Sequence, residues 1–235
     1  MRSKFFQFTP IPLMVLCLYC CLIVSCSKSD SPIKKDAPGA NQTAGHISGM
    51  GASHDALIGD AFVFSNNVEI KGGIKAVDFI YPGSGYCQVV GSGAFVLVSM
   101  EFVNKTGKDT LLVFPAGLTF ESTSTEDQNG MLIQNTQVSL TKGGTCNTLF
   151  YAYCTNEHRS GSSNESKYAF GPICNAAPVR ELIDLLKNKK VNLDPGEAPS
   201  ILGPIGVIQD WLWKITDGEG LSADDKRAIQ ALEDK

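Results

Sequence analysis

Between Asp60 and about Asn156 the apolar residues come in short runs, many alternating with polar ones, with turn-forming residues between them. A repeat of two predicts β-strands. Strands are expected at Ala61–Phe64, Val68–Ile70, Ile74–Ile80, Tyr86–Val90 and Phe95–Val103. Further strands are expected at Thr110–Phe114, Leu118–Ser122, Met131–Ile133, Gln137–Leu140 and over the stretch that ends at Cys154. After Cys174 the repeat lengthens to three or four, which predicts helices. Val179, Leu182, Ile183 and Leu186 form one stripe behind Pro178, which suits a first helical turn. Ile208, Trp211, Leu212 and Ile215 form a second stripe on a helix from Ile205 to Thr216. Ser222-Ala223-Asp224-Asp225 reads as a capping box opening a third helix that buries Ala228, Ile229 and Leu232. The fold class is therefore mainly β with α. It comprises a sandwich of immunoglobulin-like topology, or a small barrel, over residues 58–175 and a small C-terminal helical region over 176–235.

Residues 26–57 are rich in Ser, Pro, Gly, Asn and Ala and carry few large apolar side chains, so they read as a flexible tether. Ahead of them, Arg2 and Lys4 precede an apolar run from Phe5 to Val24, the pattern of a signal peptide over residues 1–25. Its uninterrupted part, Leu13–Val24, is shorter than the roughly 20 residues a membrane-spanning helix needs. Ile23-Val24-Ser25-Cys26, followed by polar Ser27-Lys28-Ser29-Asp30, resembles the lipobox of bacterial lipoproteins. That resemblance implies cleavage before Cys26 and lipidation of its thiol, and hence an exported protein whose membrane partner is reached through an N-terminal lipid, at the outer membrane or cell surface.

Loss of the leader would remove two cations and take the formal charge from −4 to −6. Mild acidity excludes the basic face that a nucleic-acid partner requires. Export also places the remaining cysteines, Cys87, Cys146, Cys154 and Cys174, in an oxidising compartment, where they read as two disulfides. If Cys146 and Cys154 lie on one strand they stand about 26 Å apart, far beyond the roughly 7 Å a disulfide tolerates. Each is then expected to pair with Cys87 or Cys174.

The stretch from Phe102 to Gly117, with Asn104-Lys105-Thr106-Gly107 as its turn, is similar to a hairpin of bacterial extracellular immunoglobulin-like domains. It implies fold and not activity. Catalytic signatures are lacking: His46 and His54 lie in the expected tether, and neither Gly-x-Ser-x-Gly nor His-Glu-x-x-His occurs. Cys154 and His158 have the spacing of a metal-binding pair but no second pair to complete four ligands, so no metal and no cofactor is expected. Lys187, Lys189 and Lys190 are read as complementing the dipole of the first helix.

Tyr153-Cys154 at a strand end, with Ile208-Gln209-Asp210-Trp211-Leu212-Trp213 on a helix, resembles two signatures of bacterial surface thioester domains. The resemblance implies a cysteine–glutamine thioester, shielded from water by aromatic packing, that acylates host amines. The family's third motif, a Thr-Gln-x-Ala that follows the helix and supplies the reacting glutamine, has no counterpart; Thr136-Gln137-Val138-Ser139 precedes the cysteine. Two disulfides would also leave no thiol spare. The plainer expectation puts Trp211 in the core and Gln209 on the exposed helix surface. The sequence thus predicts a lipid-anchored envelope or surface protein, a non-enzymatic module that is structural or binds a protein or glycan. A thioester-type covalent adhesin acting through Cys154 is the alternative.

Overall fold

The computed structural model describes residues 36–192 and 203–235. The segment expected to be a signal peptide, and Cys26, lie outside the described residues. Ten strands precede and three helices follow: β1 (Gly59–Asp60), β2 (Val68–Val77), β3 (Gln88–Gly91), β4 (Val96–Asn104), β5 (Thr110–Phe114), β6 (Leu118–Ser122), β7 (Gly130–Met131), β8 (Thr136–Leu140), β9 (Thr145–Cys154), β10 (Tyr168–Cys174), α1 (Ala177–Leu186), α2 (Pro204–Thr216) and α3 (Ala223–Gln230). The protein is mainly β, a curled sheet with three helices, the last near the C-terminus. Eight strands form that sheet in the order β1-β10-β6-β7-β9-β4-β2, with β3 joined parallel to β9, while β5 and β8 make a two-stranded sheet of their own. This order does not establish an immunoglobulin-like sandwich.

The central strands β4 and β9 are buried on both faces and pair antiparallel from Val96↔Ala152 to Val103↔Thr145. One face meets a phenylalanine-rich core in which Phe114 and Phe150 sit edge-to-face at 4.9 Å and Phe120 lies 5.9 Å from Phe150. Edge-to-face rings add to the stabilisation that burial alone provides. Met131, Ile133 and Tyr153 instead face the helices, against Val179, Leu182, Ile208, Leu212 and Ile215. The stripes expected on α1 and α2 are the buried ones, whereas α3 buries only Ile229. Ser222 and Asp225 form the capping box.

Several expectations are corrected. Ala61–Phe64 makes no strand, though Phe62 packs 5.0 Å from Phe170. Val68–Ile70 and the start of the Ile74–Ile80 run are one strand, β2, whose register shifts across the Gly72-Gly73 pair. The expected hairpin does not form: β4 pairs with β2 and β9 and β5 pairs with β8, because the turn at Asn104 carries the chain to the second sheet. There the Asn104 carboxamide donates to the Lys108 and Thr141 carbonyls and accepts from the Thr106 N–H. β10 shows no strand pattern in the sequence because Gly171 and Pro172 interrupt it; both fall where its register against β6 shifts, the setting in which a strand tolerates proline. The lysines lie beyond the end of α1. Lys189 serves α3 instead, donating to the Gln230 and Leu232 carbonyls at 2.7 and 2.9 Å and pairing with Asp234 at 2.8 Å.

The largest correction concerns the tether. From residue 36 onward it is folded, with Ile47 and Met50 fully buried in the cluster that holds the helices. Two well-placed apolar side chains and a series of backbone hydrogen bonds suffice to order a segment whose composition alone reads as unstructured.

Candidate functional site

Strand β9 runs unbroken from Thr145 to Cys154, so Cys146 and Cys154 stand at opposite ends of it, as the spacing argument requires. Cys146 is bonded to Cys87, with Cα atoms 5.7 Å apart. The second disulfide does not form: Cys154 and Cys174 are both buried free thiols. They lie on β9 and β10, three strand-to-strand steps or roughly 14 Å apart across the sheet. Their side chains also enter different cores, Cys154 the phenylalanine-rich one and Cys174 the helical one. Burial raises the Cys174 thiol to about 11.

At Cys154 the β4 strand has run out, its pairing with β9 ending at Val96↔Ala152. The backbone of Cys154 on that side would be buried without a partner, a costly condition. Gln209, on α2, takes the place of the missing strand. The Cys154 N–H donates to Gln209 Oε1 at 2.9 Å, and Gln209 Nε2 donates to the Cys154 carbonyl at 2.8 Å. Gln209 is only 1 % exposed, so the expectation of an exposed glutamine is overturned; Trp211 is in the core as expected.

One helical turn beyond Gln209, on the same face, Trp213 Nε1 donates to Cys154 Sγ at 3.3 Å. The Asn156 backbone N–H donates to the same sulfur at 3.3 Å. Trp213 in turn packs 5.6 Å from the Phe95 ring. Burial, the largest influence, pushes the Cys154 thiol up to about 12; the two N–H donors oppose this, and the charges of Asp217 and Glu157 reinforce it. The sulfur is therefore a neutral thiol at ordinary pH, enclosed by aromatic rings and facing two N–H groups that would stabilise negative charge on it.

Tyr153, the aromatic half of the pair, points to the opposite face and lies in the helical core, where burial raises its hydroxyl far above the ordinary range. His158 is not brought to Cys154 as a metal pair; its donor atom groups with Glu157 and Asp217, all within 4.8 Å of one another at the surface. Thr136-Gln137-Val138-Ser139 lies on β5's partner strand β8, and Gln137 is exposed there.

The sequence does carry a signal for Gln209. Positions 205, 209, 212 and 216 follow helical spacing, and all four are buried, so the stripe already included the glutamine. No comparable signal marks Asn129 and Asn156, buried polar residues that hold the segment before β1. Comparison with protein-family models, with curated proteins and with solved structures finds no match.

Proposed function

We propose that this chain is an exported, lipid-anchored envelope or surface protein, and that its folded part attaches covalently to amine-bearing partners through a thioester joining Cys154 to Gln209. One observation carries the reading: a free, fully buried cysteine has its backbone bonded to a fully buried glutamine carboxamide and its sulfur bonded to an indole N–H. Two objections to it have lost their force. Cys154 is not consumed in a disulfide, and Gln209 is not a surface residue. Gln209 itself is then the reacting glutamine, and the missing third motif is not required.

To form the bond, the carboxamide releases the Cys154 backbone and turns to the sulfur. The Cys154 thiol adds to the Gln209 carbonyl carbon, the C–N bond breaks, and the nitrogen leaves as ammonia carrying the thiol proton. A primary amine then attacks the thioester carbonyl: the new C–N bond forms, the C–S bond breaks, and a proton from the amine restores the thiol. Trp213 and Asn156 donate to the sulfur on which negative charge develops as it leaves. The linkage is spent once, so the protein is not an enzyme.

A second reading, a non-covalent peptide or glycan binder, is favoured by the loop after β2. Tyr81 is 80 % and Ile80 61 % exposed at its tip. Asp78 fixes the tip by accepting from the backbone N–H groups of Ile80 and Tyr81 at 2.8 and 2.9 Å. A rigidly displayed aromatic ring is a common feature of binding surfaces. Lipid anchorage rests on the lipobox resemblance, and no helix among the described residues is long and apolar enough to cross a membrane.

Intact-mass measurement of the exported, purified protein, with and without methylamine, separates the readings. Loss of one ammonia in the untreated protein and addition of one methylamine at Gln209 are expected. A protein at full mass that takes up no methylamine would leave the non-covalent binder.

A further inference from the structure

We infer that residues 40–57 form a strap that closes the Cys154 site, and that release of this strap admits an external nucleophile to it. The second clause rests on the thioester reading; the closure of the site does not.

The strap is bonded to both elements that build the site. The Gly51 N–H donates to the Thr155 carbonyl, next to Cys154, at 2.7 Å, and the Gly45 N–H donates to the Ile215 carbonyl on α2 at 2.9 Å. It thus ties the strand that carries the cysteine to the helix that carries Gln209 and Trp213. Asn156 links strap and sulfur directly. Its backbone N–H reaches Cys154 Sγ, while its side-chain Nδ2 donates to the Gly49 and Gly51 carbonyls at 3.2 and 2.9 Å. Asn129 Nδ2 also donates to the Gly49 carbonyl at 2.9 Å, and Arg159 Nη2 donates to the Ser53 carbonyl at 2.6 Å. Displacing the strap would strand the buried carboxamides of Asn129 and Asn156 and loosen the turn that presents the Asn156 N–H to the sulfur.

Two features make the strap separable from the rest of the fold. It belongs to no sheet and no helix, and its apolar anchorage in the helical core consists of Ile47 and Met50 with Leu57 partly buried beside that core. Segments with few buried contacts open locally at a lower free energy than the core. Its close fit depends on glycine. Gly51 has φ +58°, and a Cβ there would lie 2.1 Å from the Thr216 carbonyl oxygen; Gly45 has φ +72°, and a Cβ would lie 2.7 Å from the Gly218 carbonyl oxygen. The chain passes too near the end of α2 for any other residue.

The test compares the exported full chain with Gly51→Ala and Gly45→Ala, two lesions near opposite ends of the contact. Gly143→Ala is the control, an equally left-handed glycine (φ +61°) on the β8–β9 turn with open space around it. Hydrogen exchange over residues 45–53 reports strap opening. Access is read at Gln209 by the rate of methylamine incorporation, or at Cys154 by the rate of N-ethylmaleimide labelling if the wild-type mass shows no ammonia loss. The two failures are therefore distinct: absence of the thioester is seen in the wild-type mass, and failure of the strap is seen in the rates. In whichever strap variant folds, the rate is expected to rise about tenfold or more, as a local opening becomes easier, with Gly143→Ala at the wild-type rate. Faster exchange in the strap with an unchanged rate at Cys154 or Gln209 would overturn the inference.

Discussion

The carboxamide of Gln209 does for Cys154 what a neighbouring strand would do, accepting from its N–H and donating to its carbonyl from 55 residues further along the chain. The pairing ties helix α2 to the sheet where β4 stops. It also holds the glutamine against the cysteine backbone without any requirement that it react with the thiol. Its structural and chemical roles are therefore separable by substitution.

Replacing Gln209 by Ala leaves two buried backbone groups unpaired and is expected to cost about 2–5 kcal/mol in urea unfolding. Gln209→Glu keeps an acceptor for the Cys154 N–H but sets a buried carboxylate against the Cys154 carbonyl. Burial raises the folded-state pKa of such a group above its unfolded value. The variant should be most stable at acid pH and lose stability as pH rises through the folded-state value. A flat stability profile for Gln209→Glu would show that the side chain had left the site.

One disulfide, and at least one alkylated thiol at Cys174, are expected by peptide mapping after alkylation without reduction. A linked Cys87–Cys146 peptide and an alkylated Cys174 should be found whether or not Cys154 is engaged with Gln209. Removal of the disulfide by Cys87→Ser with Cys146→Ser opens a closure of 59 residues and is expected to lower stability by about 4 kcal/mol. Recovery of a Cys154–Cys174 peptide would contradict the strand order.

Asp225 carries the acid dependence of the last helix. Its carboxylate is held down to about 2, first by the Lys214 ammonium at 2.6 Å and then by the Ser222 hydroxyl of the capping box. The folded pKa lies below the unfolded one, so the contribution is complete above the ordinary carboxylate value of 3.8 and is lost as pH falls toward about 2. Asp225→Asn should cost about 1 kcal/mol at neutral pH and flatten the stability profile in that acid window. Because Lys214 is half exposed, added salt should diminish the difference. A profile as steep as that of the wild type would assign the titration elsewhere.

Gly93 lies flat against β9. A Cβ there would meet the Ala152 carbonyl carbon at 1.9 Å, so backbone and not a pliable side chain blocks it. Gly93→Ala is expected to cost more than about 4 kcal/mol and to reduce the yield of folded protein severely. A soluble variant with wild-type thermal stability would mean that the Gly91–Gly93 turn sits differently on the strand.

The parts of this structure that were legible in the sequence are those set by periodicity. β5 and β6 have the predicted ends, and α1 and α2 bury the predicted stripes. What escaped depends on pairing over distance. No local pattern says that Cys174 lies three strands from Cys154, or that β5 seeks β8 and not β4. β10 was hidden by Gly171 and Pro172, whose unfavourable local preference is overridden at an irregular register. The strap was hidden because composition averages over a segment, whereas Ile47 and Met50 act individually. The spacing of Gln209 puts it on the buried stripe while its polarity suggests exposure, and a buried amide with both groups satisfied is compatible with a core.

The contact between Gly45 and Ile215 brings together segments that leave the ribosome most of a chain length apart. Strand β9 and its cysteine are complete well before α2 exists, and the strap, although made earlier, has nothing to lie on until α2 arrives. During synthesis the Cys154 thiol is therefore bare, while Cys146 already has Cys87 within reach as its strand partner's neighbour. The enclosed sulfur is a product of chain completion: a chain arrested before α2 would carry an ordinary accessible thiol, and only the finished molecule withdraws it from solvent.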